Sequence, residues 1–279
     1  MPDSRYSALM RFIAVTALLL SACAPDFQVQ QRPFDVLAPK DSSPETALPL
    51  VVLLHGYAAS AWAQSVVAPF QDVVDSKQFV LVRPNGTVNS LGKRFWNGSD
   101  YCCDFDRTNV DDVAFLRAVI EDVKSKRAIT KVFLIGHSNG GFMALRMACE
   151  ASDVIDGVAS LAGSTWNQDG RCEGGRVVPV LLVHGTKDET ILYEGSEGEY
   201  PSARETFRRF QRRAECDEAN TLESTYDFLG DAETETTGEA PACRARAVEL
   251  WTMKDIGHVP SFDERWTGAV IDWLQEKSK

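Results

Sequence analysis

A serine with glycine two residues away on either side is the most chemically suggestive pattern in the chain: Gly136-His137-Ser138-Asn139-Gly140-Gly141. Glycines at that spacing suit a strained turn with no room for a β-carbon, which lifts the serine hydroxyl clear of the backbone. A hydroxyl is a weak nucleophile at neutral pH and needs an imidazole to take its proton. The chain holds four histidines. His137 adjoins the serine and, by strand-to-turn geometry, is expected to point away from it. His55 and His184 each close an apolar run in a His-Gly pair, where packing or turn shaping is the expectation. His258, in Asp255-Ile256-Gly257-His258-Val259-Pro260, follows the last apolar run and is the expected base. The acid that orients it is expected from His184-Gly185-Thr186-Lys187-Asp188, as Asp188, with Glu189 the neighbouring alternative. The order serine, acid, histidine is one that a serine nucleophile on a strand-turn-helix elbow uses. Asp188 would accept from the ring of His258 and stabilise the imidazolium without itself taking a proton. Such chemistry is acyl transfer, and its oxyanion needs donors; the backbone amides of Asn139 and Tyr57 are the expected pair.

These residues need elements to hold them. Pro49 to Leu54, Phe79 to Val82, Lys131 to Ile135, Val158 to Ala162, Val177 to Val183 and Val248 to Met253 read as strands. Helical spacing appears over Val110 to Val123, Phe142 to Ala148, residues 203 to 214 and Trp266 to Glu276. Strand and helix alternate, and strands apolar at every position are those covered on both faces. The expectation is a doubly wound, mostly parallel α/β sheet with helices on both faces, in one catalytic domain over 49–279. The acidic stretch Asp217 to Pro241 reads as an exposed insertion. Asp111 and Asp112 suit a helix N-terminus better than a metal pair.

The chain has 279 residues, with 29 lysines and arginines against 40 aspartates and glutamates, a net charge of −11. That balance repels phosphate backbones and excludes nucleic acid as an expected partner. Residues 1–22 carry Arg5, Arg11 and the apolar run Phe12 to Leu20, a secretory signal pattern too short to span a bilayer comfortably. Leu20-Ser21-Ala22-Cys23 resembles a lipoprotein signal, in which Cys23 would be acylated and hold the enzyme at a membrane surface. Residues 23–48 then read as a polar linker, and the protein as exported to the cell envelope or secreted. Removing Cys23 leaves six cysteines, Cys102, Cys103, Cys149, Cys172, Cys216 and Cys243, an even number for an oxidising compartment. Cys216 with Cys243 is the favoured pair; adjacent Cys102 and Cys103 are expected to take different partners, with Cys149 and Cys172 as the candidates.

His55-Gly56-Tyr57, the stretch Trp96-Asn97-Gly98-Ser99 through Cys102-Cys103 to Val110-Asp111-Asp112-Val113, the elbow around Ser138 and His184-Gly185-Thr186-Lys187-Asp188 together resemble one group of α/β-hydrolases. They are the extracellular polyhydroxybutyrate depolymerase and feruloyl esterase relatives, including the LpqC-like lipoprotein esterases. The resemblance covers roughly residues 34 to 275. It implies the α/β-hydrolase fold and hydrolysis of small or oligomeric esters of hydroxyalkanoate or hydroxycinnamate type, with Ser138, Asp188 and His258 matching the family triad. No metal or organic cofactor is expected. Trp96, Trp166 and Phe262 are candidate walls of an aromatic acyl pocket. Acyl transfer to an alcohol acceptor, and a non-catalytic binding module on the same scaffold, are the alternatives.

Overall fold

The apolar runs pair into one nine-stranded sheet in the computed structural model, which describes residues 32–227 and 236–279. In chain order the strands are β1 (Asp35–Leu37), β2 (Leu48–Leu54), β3 (Val80–Arg83), the small pair β4 (Thr87–Val88) and β5 (Arg94–Phe95), β6 (Ile129–His137), β7 (Gly157–Leu161), β8 (Val180–Gly185), β9 (Cys216–Tyr226), β10 (Thr236–Cys243) and β11 (Val248–Met253). The sheet order is β1-β3-β2-β6-β7-β8-β11-β10-β9. From β3 to β11 all neighbours run parallel; β1 and the β10–β9 pair add antiparallel edges. The helices are α1 (Ala61–Val67), α2 (Val74–Lys77), α3 (Asp112–Lys126), α4 (Asn139–Glu150), α5 (Ala203–Arg213) and α6 (Glu264–Lys277).

Strand β2 shows why the central runs are apolar throughout. Leu50, Val52 and Leu54 point into one core, packed with Val119, Met143, Phe207 and Phe210 from α3, α4 and α5. Val51 and Leu53 point into the other, against Phe70 and the Trp266, Ile271 and Leu274 face of α6. Each fully buried side chain of this kind stabilises the fold by roughly 1.5–3 kcal/mol, so both faces must be covered. Helix starts are capped as their sequences suggest: Asp111 accepts from Ala114 N at 2.9 Å, Ser202 from Glu205 N at 3.0 Å, and Asp263 from Arg265 N and Trp266 N. This is the α/β-hydrolase fold with its mostly parallel sheet.

Three readings need correction. Residues 35–37, assigned to a linker, form β1 and pair with β3, and β2 begins at Leu48. The segment is anchored further by Arg32, which pairs with buried Asp112 at 2.6 Å and lies over the Phe115 ring. The stretch from Asp217 is an edge of the sheet and not a loose insertion, apart from residues 228–235, which fall outside the described part. Tyr226 packs on Trp251, and the buried carboxylate of Glu249 accepts from Tyr226 OH, Trp251 Nε1 and Trp273 Nε1, which holds β9 to the core. Finally, Cys102 and Cys103 are bonded to each other. Adjacent Cα atoms across an ordinary peptide are closer than disulfides usually span, hence the expectation of separate partners. The remaining cysteines pair as Cys149 with Cys172 and Cys216 with Cys243, tying α4 to the loop after β7 and β9 to β10. Cys23 and the signal-like residues lie outside the described part.

Candidate active site

The end of β6 and the start of α4 leave one residue between them, and it is Ser138. Its φ of 55° and ψ of −121° place it in a region that costs a non-glycine residue of order 1–3 kcal/mol. The glycines around it are sterically required. A β-carbon on Gly136 would sit 2.0 Å from Gly140 O, and one on Gly140 would sit 2.3 Å from Leu54 O. The turn is locked by Ser138 N donating to Leu161 O at 2.8 Å and Phe142 N donating to Ser138 O at 3.0 Å. Asn139 fixes the next residue. Its side chain accepts from Trp96 N and donates to Trp96 O, both at 2.7 Å, so a fully buried amide pairs the elbow with the loop after β5.

The acid and base arrive from the ends of β8 and β11, two parallel neighbours in the sheet. His258 Nδ1 donates to Asp188 Oδ2 at 2.7 Å. Asp188 Oδ1 accepts from the Thr190 and Ile191 amides, each at 2.9 Å. Burial alone would raise the Asp188 carboxyl, but hydrogen bonds from His184, His258 and Ile191 N outweigh it and hold the group well below the usual carboxylate range. The acid is thus ionised and accepts at the Nδ1 edge of the imidazole. The elbow is close by: the His137 and His258 ring centroids are 4.9 Å apart, and His137 Nε2 donates to His258 O at 2.8 Å.

The expectation for His137 concerns its direction from the serine and leaves its partner open. Its ring reaches across 121 residues of chain to the base. His184 is also nearer the chemistry than a packing role implies, with Nε2 2.8 Å from Ile191 O and 3.3 Å from Asp188 Oδ2. A sequence signal for both exists in retrospect: each abuts the elbow or the acid turn.

On the other side, the loop after β2 brings Tyr57 beside the elbow. Ala58 N is taken by Arg94 O and Ala59 N by Gly56 O, which leaves the Tyr57 amide without a backbone acceptor among the described residues. The Asn139 amide opens α4, where intrahelical bonding supplies no acceptor. Below the loop, His55 Nδ1 donates to Gly56 O while Nε2 accepts from Gly86 N. Cys102 and Cys103 pack with Phe142, Ile191 and Tyr200, filling the space between the elbow helix and the acid turn.

Burial pushes the imidazoles of His55 and His137 down to about 4. Between the ordinary value of about 6.5 and 4, the unfolded chain binds a proton at each that the folded protein does not, so stability falls as pH is lowered through that window. Urea midpoints measured at pH 7, 6 and 5 should decline in that order; equal midpoints would contradict the two burials.

The three expected aromatic walls are all buried side chains. Trp96 is fully buried, its Nε1 donating to His55 O, and supports the Tyr57 loop from beneath. Phe262 stacks on Trp266 in the opposite core, with centroids 3.7 Å apart. Trp166 borders a cavity of about 600 Å³ between the loop after β7 and the C-terminal half of α5, whose lining includes none of Ser138, Asp188 and His258. The arginines around it are spent on structure: Arg209 donates to Trp166 O and Asn167 O, and Arg213 to Ala148 O and Gly174 O.

Comparison with known proteins agrees with this geometry. A family model described as Phospholipase/Carboxylesterase matches residues 39–218. Feruloyl esterase B of Piromyces equi is 28% identical over 167 residues, 56% of this chain and 29% of that protein. The bifunctional acetylxylan esterase/xylanase XynS20E of Neocallimastix patriciarum is 28% identical over 178 residues, 63% and 24% of the two lengths. The chain therefore matches less than a third of either curated relative. Among solved structures, an acetyl xylan esterase from Aspergillus awamori superposes with a TM-score of 0.65 at 14% identity, covering 87% of this chain and 93% of that one, a likeness of fold.

Proposed function

Because the chain belongs to the phospholipase/carboxylesterase family of α/β-hydrolases, we propose that it is a serine carboxylic-ester hydrolase working through Ser138, His258 and Asp188. One observation carries the reading: a serine held at φ 55° on a glycine-lined elbow, whose neighbour His137 meets the histidine bonded to an ionised aspartate. In the first half-reaction His258 takes the proton of Ser138 Oγ as that oxygen attacks the ester carbonyl carbon. The carbonyl oxygen becomes an oxyanion held by the Tyr57 and Asn139 amides. The C–O bond to the alcohol then breaks, and the leaving oxygen takes the proton back from His258. In the second half, His258 takes a proton from water, whose oxygen attacks the acyl-serine, and returns it to Ser138 Oγ as the acid departs. Asp188 holds the imidazole in the tautomer that presents its other nitrogen to the serine, and offsets the charge it acquires.

The relatives named above favour hydroxycinnamoyl and acetyl esters over the hydroxyalkanoate branch of the sequence resemblance. We further propose export with acylation at Cys23, which would set the catalytic domain against a membrane surface. A fluorophosphonate probe should label the folded protein at Ser138, located by peptide mass, and methyl ferulate or p-nitrophenyl acetate should turn over faster than a hydroxybutyrate oligomer. Folded protein that neither labels nor hydrolyses any of these esters would refute the assignment.

A further inference from the structure

The mechanism above uses one histidine, yet all four in the chain lie at the elbow, the acid turn or the loop that carries Tyr57. His55 is committed to shaping that loop through Gly56 O and Gly86 N. The other two touch the catalytic pair directly. We propose that His184 and His137 are positioning residues that hold the Asp188–His258 couple from its two ends, His184 fixing the turn that binds the carboxylate and His137 clamping the main chain of the base. The proposal rests on the esterase reading.

His258 sits on the ten-residue connection from β11, which ends at Met253, to α6, which starts at Glu264. Its early part is tied to the acid turn: Thr186 N donates to Met253 O, Asp255 N to Thr186 Oγ1, and Lys187 N to Ile256 O. Past Ile256 come Gly257, with no side chain to anchor, and Val259, which is 60% exposed. A ring held only at Nδ1 can pivot about that hydrogen bond and swing its other nitrogen away from the serine. The His137 Nε2 bond to His258 O supplies the second fixed point, and it comes from the residue adjoining the nucleophile. Base and nucleophile are thereby referenced to the same turn, the condition that proton transfer over a few tenths of an ångström demands.

His184 does the corresponding work on the acid. The Thr190 and Ile191 amides fix Oδ1 of Asp188, and His184 donates its Nε2 proton to Ile191 O at 2.8 Å, holding the turn that carries those amides, with Nε2 3.3 Å from Oδ2. It is 3% exposed, with the Tyr193 ring edge-on against it, so its orientation is set by packing. His137 faces three titratable groups, His258, Asp188 and His184. Burial keeps it neutral above about pH 4, so it donates its hydrogen bond without opposing the positive charge that forms on His258.

The test compares His137→Leu and His184→Leu, which remove the donor, with His137→Gln and His184→Gln, which offer an N–H in its place. Steady-state turnover, fluorophosphonate labelling rate and melting temperature are measured for each. The leucine variants should lose roughly 10- to 100-fold in kcat and in labelling rate with KM little changed, and the glutamine variants should recover much of that loss. Folded leucine variants that label at the wild-type rate would overturn the proposal. Should a leucine variant fail to fold, the alanine variant at the same position, which also lacks the donor, decides by the low-field proton resonance of the His258 Nδ1–H: a shift or faster exchange relative to wild type supports positioning, and an unchanged resonance with unchanged labelling overturns it. Failure of the wild type itself to label would instead remove the esterase reading, while the resonance would still report whether His184 orders the couple.

Discussion

Ser138→Ala should abolish nearly all turnover, lowering kcat by roughly 10⁴-fold or more with KM within a few-fold of wild type, as removal of an activated nucleophile does. The residual rate would come from the oxyanion amides of Tyr57 and Asn139, which the substitution leaves in place. Loss of activity could also follow from collapse of the elbow, and the backbone offers a way to separate the two. Ser138 sits at φ 55°, a conformation that alanine tolerates no better than serine, so Ser138→Ala keeps the strain. Ser138→Gly removes the β-carbon and the strain with it, against a smaller entropic penalty in the unfolded chain. The glycine variant should therefore be as inactive as the alanine variant and at least as stable in urea. Inactive Ser138→Gly protein with raised stability would identify the serine as chemically required and the backbone as strained to present it. Activity retained in either variant would remove Ser138 from the mechanism.

The elbow is legible in the sequence because its requirement is local. Gly136 and Gly140 must lack β-carbons for reasons that lie within five residues and one neighbouring strand, and the strand and helix flanking them have strong periodicity. The six central strands are legible for a similar reason, since residues such as Val51 and Val52 face opposite cores and most positions are apolar. The pieces that escape depend on distant partners. Strand β9 has exposed, charged and threonine-rich residues, and what makes it a strand is its pairing with β10 and the contact of Tyr226 with Trp251. Strand β1 is three exposed residues, too few for a pattern, held by Arg83 and by the Arg32 bond to Asp112. Trp96 reads equally well as a pocket wall or as core, and only the acceptor at His55 O decides it. His137 is the most instructive case: its direction relative to Ser138 follows from the turn, but its partner is the carbonyl of a residue on another loop. Local geometry gives where a side chain leaves the backbone, and the fold gives what it meets.

Asp188→Asn should fold and lose about 10⁴-fold in kcat, because an amide in that place can bind His258 in the wrong tautomer and cannot offset the imidazolium charge. The environment makes this site unusually demanding of a carboxylate. Donors meet both oxygens of Asp188: the Thr190 and Ile191 amides on one, His258 on the other, with His184 Nε2, bonded to Ile191 O, 3.3 Å from the latter. An asparagine would have to turn its NH₂ toward the two amides or toward His258, leaving donor facing donor in a buried site, which costs stability as well as rate. The pH dependence of that stability has a definite sign. The folded carboxyl is held below the ordinary carboxylate range, so its contribution is fully present above the unfolded value of about 3.9 and is lost only as pH falls through the folded value. The stability gap between wild type and Asp188→Asn should therefore be the same at pH 7 and pH 5 and narrow below pH 4, in contrast to the His55 and His137 contribution, which declines across 6.5 to 4. Urea unfolding of both proteins at pH 7, 5 and 3 measures it. A gap that shrinks already between pH 7 and 5 would mean that Asp188 takes up a proton in that range, and would overturn its assignment as the ionised partner of His258.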